Sequence, residues 1–195
     1  MSNPLPNSVF AIVLAAGSAS RFGSSKQLAL IDGIPLVQRT ALVAAEVCGD
    51  NTVLVTGHNR QAVSEACSPL RGFLVVNEDY ADGLGTSLAK AVRSVRHTAQ
   101  AIIVLLADQA MVTAQHVQAL CDAWTGADNE IVATAYANTT GAPVLFPRGC
   151  FDDLVALQGD SGGRHLLADE RFQVKTIVFE PAAIDIDTPD DLLRL

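Results

Sequence analysis

The sequence predicts an α/β fold in which helices cover both faces of a mostly parallel sheet. Short, continuous apolar stretches alternate with segments of helical periodicity along the 195 residues. Strands buried on both faces have such uninterrupted apolar runs, whereas half-exposed strands alternate apolar and polar residues. Because 49% of the residues are hydrophobic, the chain can bury a substantial core. We expect one domain over residues 1–195, with residues 1–8 as a flexible lead-in.

Turn and capping residues set the bounds of the predicted elements. Pro35 is suited to the first turn of a helix, and Gly49 to its end. Asn59 and Thr113 are residue types that cap helix N-termini. The predicted strands are 9–15, 52–56, 73–77, 101–107, 130–136, 142–146 and 172–179, with an extended piece at 28–33. The predicted helices begin near residues 35, 59, 88, 113, 151 and 162, and a capped helix follows a short strand in the tail 184–195.

Composition and charge exclude several function classes. The net charge of −8 and the aromatic content of 5% argue against nucleic-acid binding, which needs a basic face and stacking platforms. No apolar run approaches the ~18 residues of a membrane span, so no membrane contact is expected. The four cysteines form no C-x-x-C pair and no signal peptide is visible, which favours reduced thiols in a cytoplasmic protein.

The segment from Leu14 to Lys26 carries the strongest functional signal. An apolar strand ends there in a loop of small residues that contains Arg21 and Lys26. Exposed backbone N–H groups and two cations at the end of a buried strand are typical of a phosphate site. A solvated surface pair is the alternative for the two cations. The spacing is neither that of a Walker A motif nor that of a dinucleotide-binding fingerprint.

Carboxylates follow two other strands. Asp108 ends the most apolar strand, where a carboxylate can bind Mg²⁺ or, alternatively, serve as a turn or cap residue. Asp187 is a second candidate metal ligand, but it also fits the N-terminal turn of the last helix. If residues 185–187 are a strand, Asp185 shares a face with Asp187 and is the fallback ligand. The histidines show no zinc-ligand spacing.

Two glycine-rich segments complete the candidate site. The turn at Gly83 could let the backbone approach a nucleotide near Ser87, or Ser87 could simply cap the next helix. The segment from Gly159 to Arg164 could bind the phosphate of an acceptor, or form an ordinary turn with a helix cap.

The order of these motifs points to a family. The loop reads L-A-A-G-x₃-R-x-G-x₂-K. The segments that follow it are Asn77 with Gly83, Ser87 and Leu88; Ala107-Asp108-Gln109; Gly141, Pro143 and Phe146; Gly159 to Arg164; and Asp185 to Leu192. Together they resemble the MobA-like nucleotidyltransferases, and within them the MocA-type molybdenum cofactor cytidylyltransferases, over nearly the whole chain. Three positions depart from the usual residues, namely Leu84, Ala110 and Gly163.

This resemblance implies a Rossmann-like three-layer sandwich with a mostly parallel, mixed central sheet, of the nucleotide-diphospho-sugar transferase kind. It implies Mg²⁺-dependent transfer of CMP from CTP to the phosphate of molybdopterin or its molybdenum form, with release of pyrophosphate and a molybdoenzyme as the recipient of the product. The implied catalytic residues are Arg21, Lys26 and Asp108, and the implied metal ligands are Asp108 and Asp187. The nucleotide site would include Leu14, Ala15, Ala16, Gly17, Lys26, Asn77, Gly83 and Ser87. The acceptor site would include Gly159, Asp160, Gly163 and Arg164.

Other functions remain open at this point. The same fold could use another nucleoside triphosphate or another phosphorylated acceptor, such as a sugar phosphate. It could also be a non-catalytic nucleotide-binding protein that assists a cofactor. The pair Ala15-Ala16 resembles the cytidylyl branch and is the basis for choosing CTP. A dinucleotide-dependent oxidoreductase is a weaker alternative, because neither glycine loop has the spacing of a dinucleotide-binding fingerprint.

Overall fold

The protein is an α/β sandwich of three layers in the computed structural model, which describes residues 8–17, 26–68, 70–186, 188 and 191. The strands are β1 Val9–Ala15, β2 Leu30–Ile31, β3 Ile34–Pro35, β4 Thr52–Thr56, β5 Phe73–Val76, β6 Ala101–Leu106, β7 Glu130–Tyr136, β8 Thr139–Pro147 and β9 Gln173–Val178. The helices are α1 Leu36–Cys48, α2 Arg60–Ala66, α3 Leu84–Val95, α4 Ala114–Ala123 and α5 Phe151–Val155.

The central sheet is mixed, as predicted. In the described residues its seven strands have the order β5-β4-β1-β6-β8-β7-β9. The strands β5, β4, β1 and β6 are parallel to one another. Strand β8 runs antiparallel to both β6 and β7, and β9 is parallel to β7. Because the chain crosses from β1 to β4 on one side and returns to β6 on the other, the carboxyl end of β1 lies at a topological switch point.

Strand β1 is buried on both faces and divides the core in two. All of its residues are buried, so the continuous apolar run at 9–15 correctly predicted a central strand. Its residues Phe10, Ile12 and Leu14 pack with apolar side chains of α3 and α5. The intervening residues pack with α1, α2 and α4 on the opposite face. Period-two alternation along one strand therefore joins the two helical layers.

Several local predictions are confirmed. Within the extended piece predicted at 28–33, the chain turns from β2 to β3 at Asp32 and Gly33, whose positive φ angles of 52° and 79° are those that a two-residue I′ turn requires. Helix α1 follows Pro35 and ends at Gly49, whose φ is 58°. The Thr113 side chain accepts a hydrogen bond from the His116 backbone N–H and caps α4.

Other local predictions are wrong. Asn59 precedes α2 but adopts the left-handed conformation, and its side chain makes no capping hydrogen bond. The helical segment predicted from residue 162, by contrast, is confirmed and is a 3-10 helix over Gly163–Ala168. Residues 184–186 form no strand, so the expected alignment of Asp185 with Asp187 on one strand face has no support. The predicted C-terminal helix lies mostly outside the described residues, although the Thr188 backbone N–H donates to the Asp191 carboxylate, which is one half of a capping box.

Nothing in the described part of the chain could serve as a membrane-spanning helix, because no helix there is both long and apolar enough. Residues 1–7, most of the predicted lead-in, lie outside the described residues.

The beginning of α3 is in direct backbone contact with the loop at residues 159–161. The Gly85 N–H donates to the Gly159 carbonyl oxygen at 2.8 Å. A Cβ on Gly85 would lie 2.6 Å from the Ser161 carbonyl oxygen. Gly83 has a φ of 108°, and its Cβ would lie 2.3 Å from the Gly159 carbonyl carbon. Only glycine allows this approach of two backbones.

We predict that Gly85→Ala lowers the free energy of unfolding by about 1–3 kcal/mol, because the new methyl group forces the two backbones apart. In a solvent-exposed helix without this contact, the same substitution would raise the free energy of unfolding by up to ~1 kcal/mol. The sign of the measured change therefore shows whether the backbone contact exists. Gly162→Ala is the matched control, since its Cβ would make an ordinary contact at 3.8 Å with Leu84. Urea denaturation of both variants measures the difference, and an unchanged Gly85→Ala midpoint would contradict the contact.

Candidate nucleotide-binding site

A cleft of about 400 Å³ opens at the carboxyl ends of β1 and β6. Ligands of open α/β sheets bind at this edge and at this kind of switch point. The structure therefore brings together residues that are distant in sequence. The predicted site residues that line the cleft are Leu14, Ala15, Ala16, Gly17, Lys26, Gly83, Ser87, Asp108 and Asp160.

The centre of the cleft holds an ion pair between Lys26 and Asp108. The Lys26 Nζ atom lies 2.9 Å from Asp108 Oδ2, with 14% and 29% of the two side chains exposed. The pairing of β1 with β6 aligns Leu14 with Leu106, so the loops that follow both strands begin side by side. A cation and a carboxylate at one point of a phosphate-sized cleft can bind an anion and a divalent metal together.

The second oxygen of Asp108 fits a metal ligand. Asp108 Oδ1 is buried and makes no hydrogen bond to any described residue, and a buried carboxylate oxygen without a partner calls for an explanation such as an ion. The Ile186 backbone N–H donates to the Asp108 carbonyl oxygen at 3.2 Å. The chain at Ile186, and with it the exposed Asp185, is thereby tied to the Asp108 loop.

Asp187, the other predicted metal ligand, and Arg21, the other predicted phosphate-binding cation, lie outside the described residues. Within the described ranges no group of three or more histidine, cysteine, aspartate or glutamate side chains is arranged to hold a metal. The predicted roles of Asp187 and Arg21 therefore remain predictions.

Backbone carbonyls of the β1 loop are held from two sides. The Gln27 side-chain amide donates to the Gly17 carbonyl oxygen at 2.5 Å. The His58 backbone N–H donates to the Ala16 carbonyl oxygen at 3.0 Å. Gln27 is only 8% exposed, and a buried amide with a backbone partner holds a loop firmly. The wall of the cleft nearest β1 is thus preorganised before any ligand binds.

Asn77 and Ser87 form a buried polar pair at the start of α3. The Asn77 amide donates to Ser87 Oγ and to Thr86 Oγ1, both at 2.9 Å. Helix α3 already begins at Leu84 and has no side-chain cap, so Ser87 is not its cap. Asn77 does not line the cleft itself. It orients the hydroxyl of Ser87, which does.

The residues predicted for the acceptor site separate in the structure. Asp160 is exposed and lines the cleft. The Gly159 carbonyl oxygen accepts a hydrogen bond from the first turn of α3. Gly163 is buried against Phe146, where a Cβ would approach the ring to 2.7 Å. Arg164 is exposed, and its Nη2 donates to Thr139 Oγ1 at 2.5 Å. Gly163 thus has a packing position, whereas Asp160 and Arg164 have polar groups that a ligand can reach.

Sequence reasoning missed Gln27 and Tyr80, which line the cleft, and Tyr136, which does not line it but lies against Gly141. Tyr80 separates the cleft from a second, more open groove of about 570 Å³ near α2, and its hydroxyl lies 3.5 Å from His58 Nδ1. Gln27 directly follows Lys26, the last residue of the quoted motif, and this position was a usable signal. Neither tyrosine stands in a motif, so nothing local marked them.

The cysteines do not provide nucleophiles. Burial raises the pKa of the Cys67 thiol to about 11 and that of Cys48 and Cys150 to about 12. A thiol with so high a pKa is protonated at neutral pH and unreactive. All four thiols are free in the structure; Cys67, Cys121 and Cys150 are buried, whereas Cys48 is half-buried.

Three curated proteins illustrate what this chain resembles. It is 25% identical to the purine catabolism protein PucB of Bacillus subtilis over 92% of both chains. It is 28% identical to nicotine blue oxidoreductase of Paenarthrobacter nicotinovorans over 96% of both. It is 24% identical to the molybdenum cofactor cytidylyltransferase of Escherichia coli over 93% of this chain and 92% of that protein. Relatives at similar identity thus have different names, so relatedness alone does not identify a substrate.

Solved structures agree with the fold. The Rv0371c homologue from Mycobacterium sp. strain JC1 is 34% identical, with a TM-score of 0.80 over 97% of this chain and 96% of that one. The manganese complex of Rv0371c from Mycobacterium tuberculosis is 30% identical, with a TM-score of 0.80 over 96% and 97%. The model of the MobA-like NTP transferase domain matches residues 11–175. With this match across most of the chain and a strand-edge cleft of the expected kind, the protein belongs to the MobA-like nucleotidyltransferase family.

Proposed function

We propose that this nucleotidyltransferase is a cytidylyltransferase that transfers CMP from CTP to the phosphate of molybdopterin or its molybdenum form. The observation that carries the proposal is the Lys26–Asp108 pair at the carboxyl ends of β1 and β6. The Ala15-Ala16 sequence and the cytidylyltransferase relative support the choice of CTP and of the acceptor. In this proposal residues 1–195 act as one cytoplasmic domain, and a molybdoenzyme receives the product.

The reaction needs no protein nucleophile. An oxygen of the acceptor phosphate attacks the α-phosphorus of CTP and forms a new P–O bond. The bond from the α-phosphorus to the bridging oxygen breaks, and pyrophosphate leaves with that electron pair. The protein must align the groups and balance the negative charge that collects on pyrophosphate. A site of fixed cations and backbone donors suits this task.

Among the residues that the structure describes, Lys26 is the cation best placed to balance the negative charge on pyrophosphate. In the structure its ammonium group is paired with the Asp108 carboxylate, and only 14% of the Lys26 side chain is exposed. A cation in such a site interacts with phosphate oxygens more strongly than one in bulk water. Arg21, in the same loop, is proposed as the second cation, with a guanidinium that can bind two phosphate oxygens at once.

Asp108 is proposed to hold Mg²⁺ through the carboxylate oxygen that has no protein partner. Asp187 is the proposed second ligand and Asp185 the fallback, since the neighbouring Ile186 is hydrogen-bonded to the Asp108 backbone. When bound, Mg²⁺ would neutralise charge on the transferred phosphate and its leaving group. The manganese complex of a relative is consistent with a divalent ion in this family.

The nucleotide is proposed to lie along the β1 loop, with Ala15, Ala16 and Gly17 on one side and Gly83 and Ser87 on the other. Ser87 offers a hydroxyl that Asn77 holds in place. Leu14 contributes to the floor of the cleft. These contacts position the base and ribose while Lys26 holds the phosphates. The acceptor is proposed to enter past Asp160 and Arg164, beside the contact between Gly159 and Gly83.

One relative favours a second candidate. Nicotine blue oxidoreductase covers the same length at slightly higher identity than the cytidylyltransferase, which makes an oxidoreductase the main rival. Neither glycine loop of this chain has the spacing of a dinucleotide-binding fingerprint, and this weakens the rival.

We predict that Lys26→Ala and Asp108→Asn each lower kcat/KM by about 10²- to 10³-fold, as expected when one preorganised electrostatic group is removed. The assay is pyrophosphate release from CTP with Mg²⁺ and molybdopterin, together with detection of the dinucleotide product. Lys90→Ala is the matched control, since Lys90 lies on α3 outside the cleft. Full activity in both site variants would show that the site is elsewhere.

We also predict that CTP with Mg²⁺ stabilises the protein more than ATP, GTP, UTP, NADH or NADPH does. A ligand at 100 times its Kd adds about 2.7 kcal/mol to the native state, which is a rise of roughly 5–10 °C in Tm for a chain of this size. A thermal-shift panel measures this, and the Lys26→Ala variant should lose most of the CTP shift. Equal shifts for the four triphosphates would remove the case for CTP, and a selective NADH or NADPH shift would favour the oxidoreductase.

A further inference from the structure

Tyr136 does not line the cleft itself. Its hydroxyl lies against Gly141, and the next residue, Ala142, accepts a hydrogen bond from the side chain of Gln109, which follows Asp108. Tyr136 is the last residue of β7, and it is partly exposed. In the register of β7 with β8, Tyr136 pairs directly with Thr139. Thr139 Oγ1 in turn accepts a hydrogen bond from Arg164 at 2.5 Å. The β7–β8 turn thus brings a phenol and a guanidinium to the same place.

Gly141 leaves the space that the phenol occupies. A Cβ at this position would lie 2.6 Å from Tyr136 Oη, closer than a real contact permits. Gly141 has no positive φ angle, so its backbone does not itself demand glycine. The requirement comes from the tyrosine hydroxyl, which is held against the β8 backbone.

Charged groups near the phenol act on its pKa. Burial raises the pKa of Tyr136, Asp185 and Asp108 add to the rise, and Arg164 and Gln109 oppose it. The phenol therefore keeps its proton at neutral pH and can donate it. Arg164 is the cation among these groups, and it offsets the two carboxylates for an incoming anion.

Gln109 connects this region to Asp108. Its amide nitrogen donates to the carbonyl oxygens of Ala142 and Ala182 at 3.0 and 3.1 Å. Its Oε1 atom is buried and accepts no hydrogen bond from the described residues. The Tyr136 hydroxyl proton is therefore not committed to Gln109, and it is available to a ligand.

We propose that the Tyr136 hydroxyl and the Arg164 guanidinium form the subsite for the acceptor's phosphate. Each would donate a hydrogen bond to a phosphate oxygen other than the one that attacks. Thr139 holds Arg164 in place, and Gly141 makes room for the phenol. This inference rests on the proposed function for its biological meaning, but the anion subsite can be tested without turnover.

The first test uses methyl phosphate as the probe and ¹H–¹⁵N spectra of the full chain as the readout. In the wild type, the backbone amides of residues 136–141 and 163–165 should shift and saturate. Tyr136→Phe and Arg164→Gln should each raise the Kd of methyl phosphate about 10-fold or more, the usual loss for a hydrogen bond to a charged group. Arg148→Gln, an exposed arginine outside the cleft, should leave the Kd unchanged.

A purely structural tyrosine gives a different result. If Tyr136 serves only to pack beside Gln109, Tyr136→Phe lowers the urea midpoint and leaves the Kd of methyl phosphate as in the wild type. That outcome overturns the proposal, and so does the absence of saturable shifts at these amides in the wild type. Phenylalanine keeps the ring and its burial, so the variant isolates the hydroxyl.

The second test measures turnover with CTP and molybdopterin. Tyr136→Phe and Arg164→Gln should raise KM for molybdopterin about 10-fold while KM for CTP stays unchanged. A wild type that turns over, with variants that keep their molybdopterin KM, contradicts the subsite and leaves the proposed function intact. A wild type that binds methyl phosphate at these residues but releases no pyrophosphate contradicts the proposed function and supports the subsite.

Discussion

The complete burial of β1 is the constraint on which the arrangement of the site depends. Because the residues of β1 face two apolar layers in alternation, the strand occupies the middle of the parallel half of the sheet. Its neighbours β4 and β6 then run parallel to it and end at the same edge. Lys26 and Asp108, which follow β1 and β6, meet there as an ion pair. A packing requirement thus creates the electrostatic centre of the cleft.

The ion pair also indicates how the site can respond to a ligand. Asp108 offers one oxygen to Lys26 and has another without a partner among described residues. A metal can use the second oxygen while the ammonium group turns to phosphate. Both charges are already partly desolvated, so this exchange requires less loss of hydration than assembling the site from exposed side chains would.

The parallel half of the fold could be predicted from sequence because its signals are local. Continuous apolar runs marked β1, β4 and β6, and the residues after them identified the cleft. Asn59 was misjudged because capping preference does not determine backbone conformation. The helical segment near Gly162 was predicted, but its 3-10 geometry at Gly163–Ala168 was not, because a short polar, glycine-rich segment fits both helix types. Arg21 and Asp187 lie outside the described residues, so their roles stay predictions.

The pairing of the antiparallel strands β7 and β8 could not be predicted from local sequence patterns, and for this reason Tyr136 was missed. Its position depends on β8 lying between β6 and β7 and on the pairing of Tyr136 with Thr139. The sequence around either residue does not indicate which residue it will pair with across the two strands. The space left by Gly141 and the anchoring of Arg164 become visible only once the register is known. In the proposed reaction, local motifs build the nucleotide side, whereas strand pairing builds the acceptor side. Variation among relatives in the β7–β8 turn would therefore change the acceptor while leaving the nucleotide site intact.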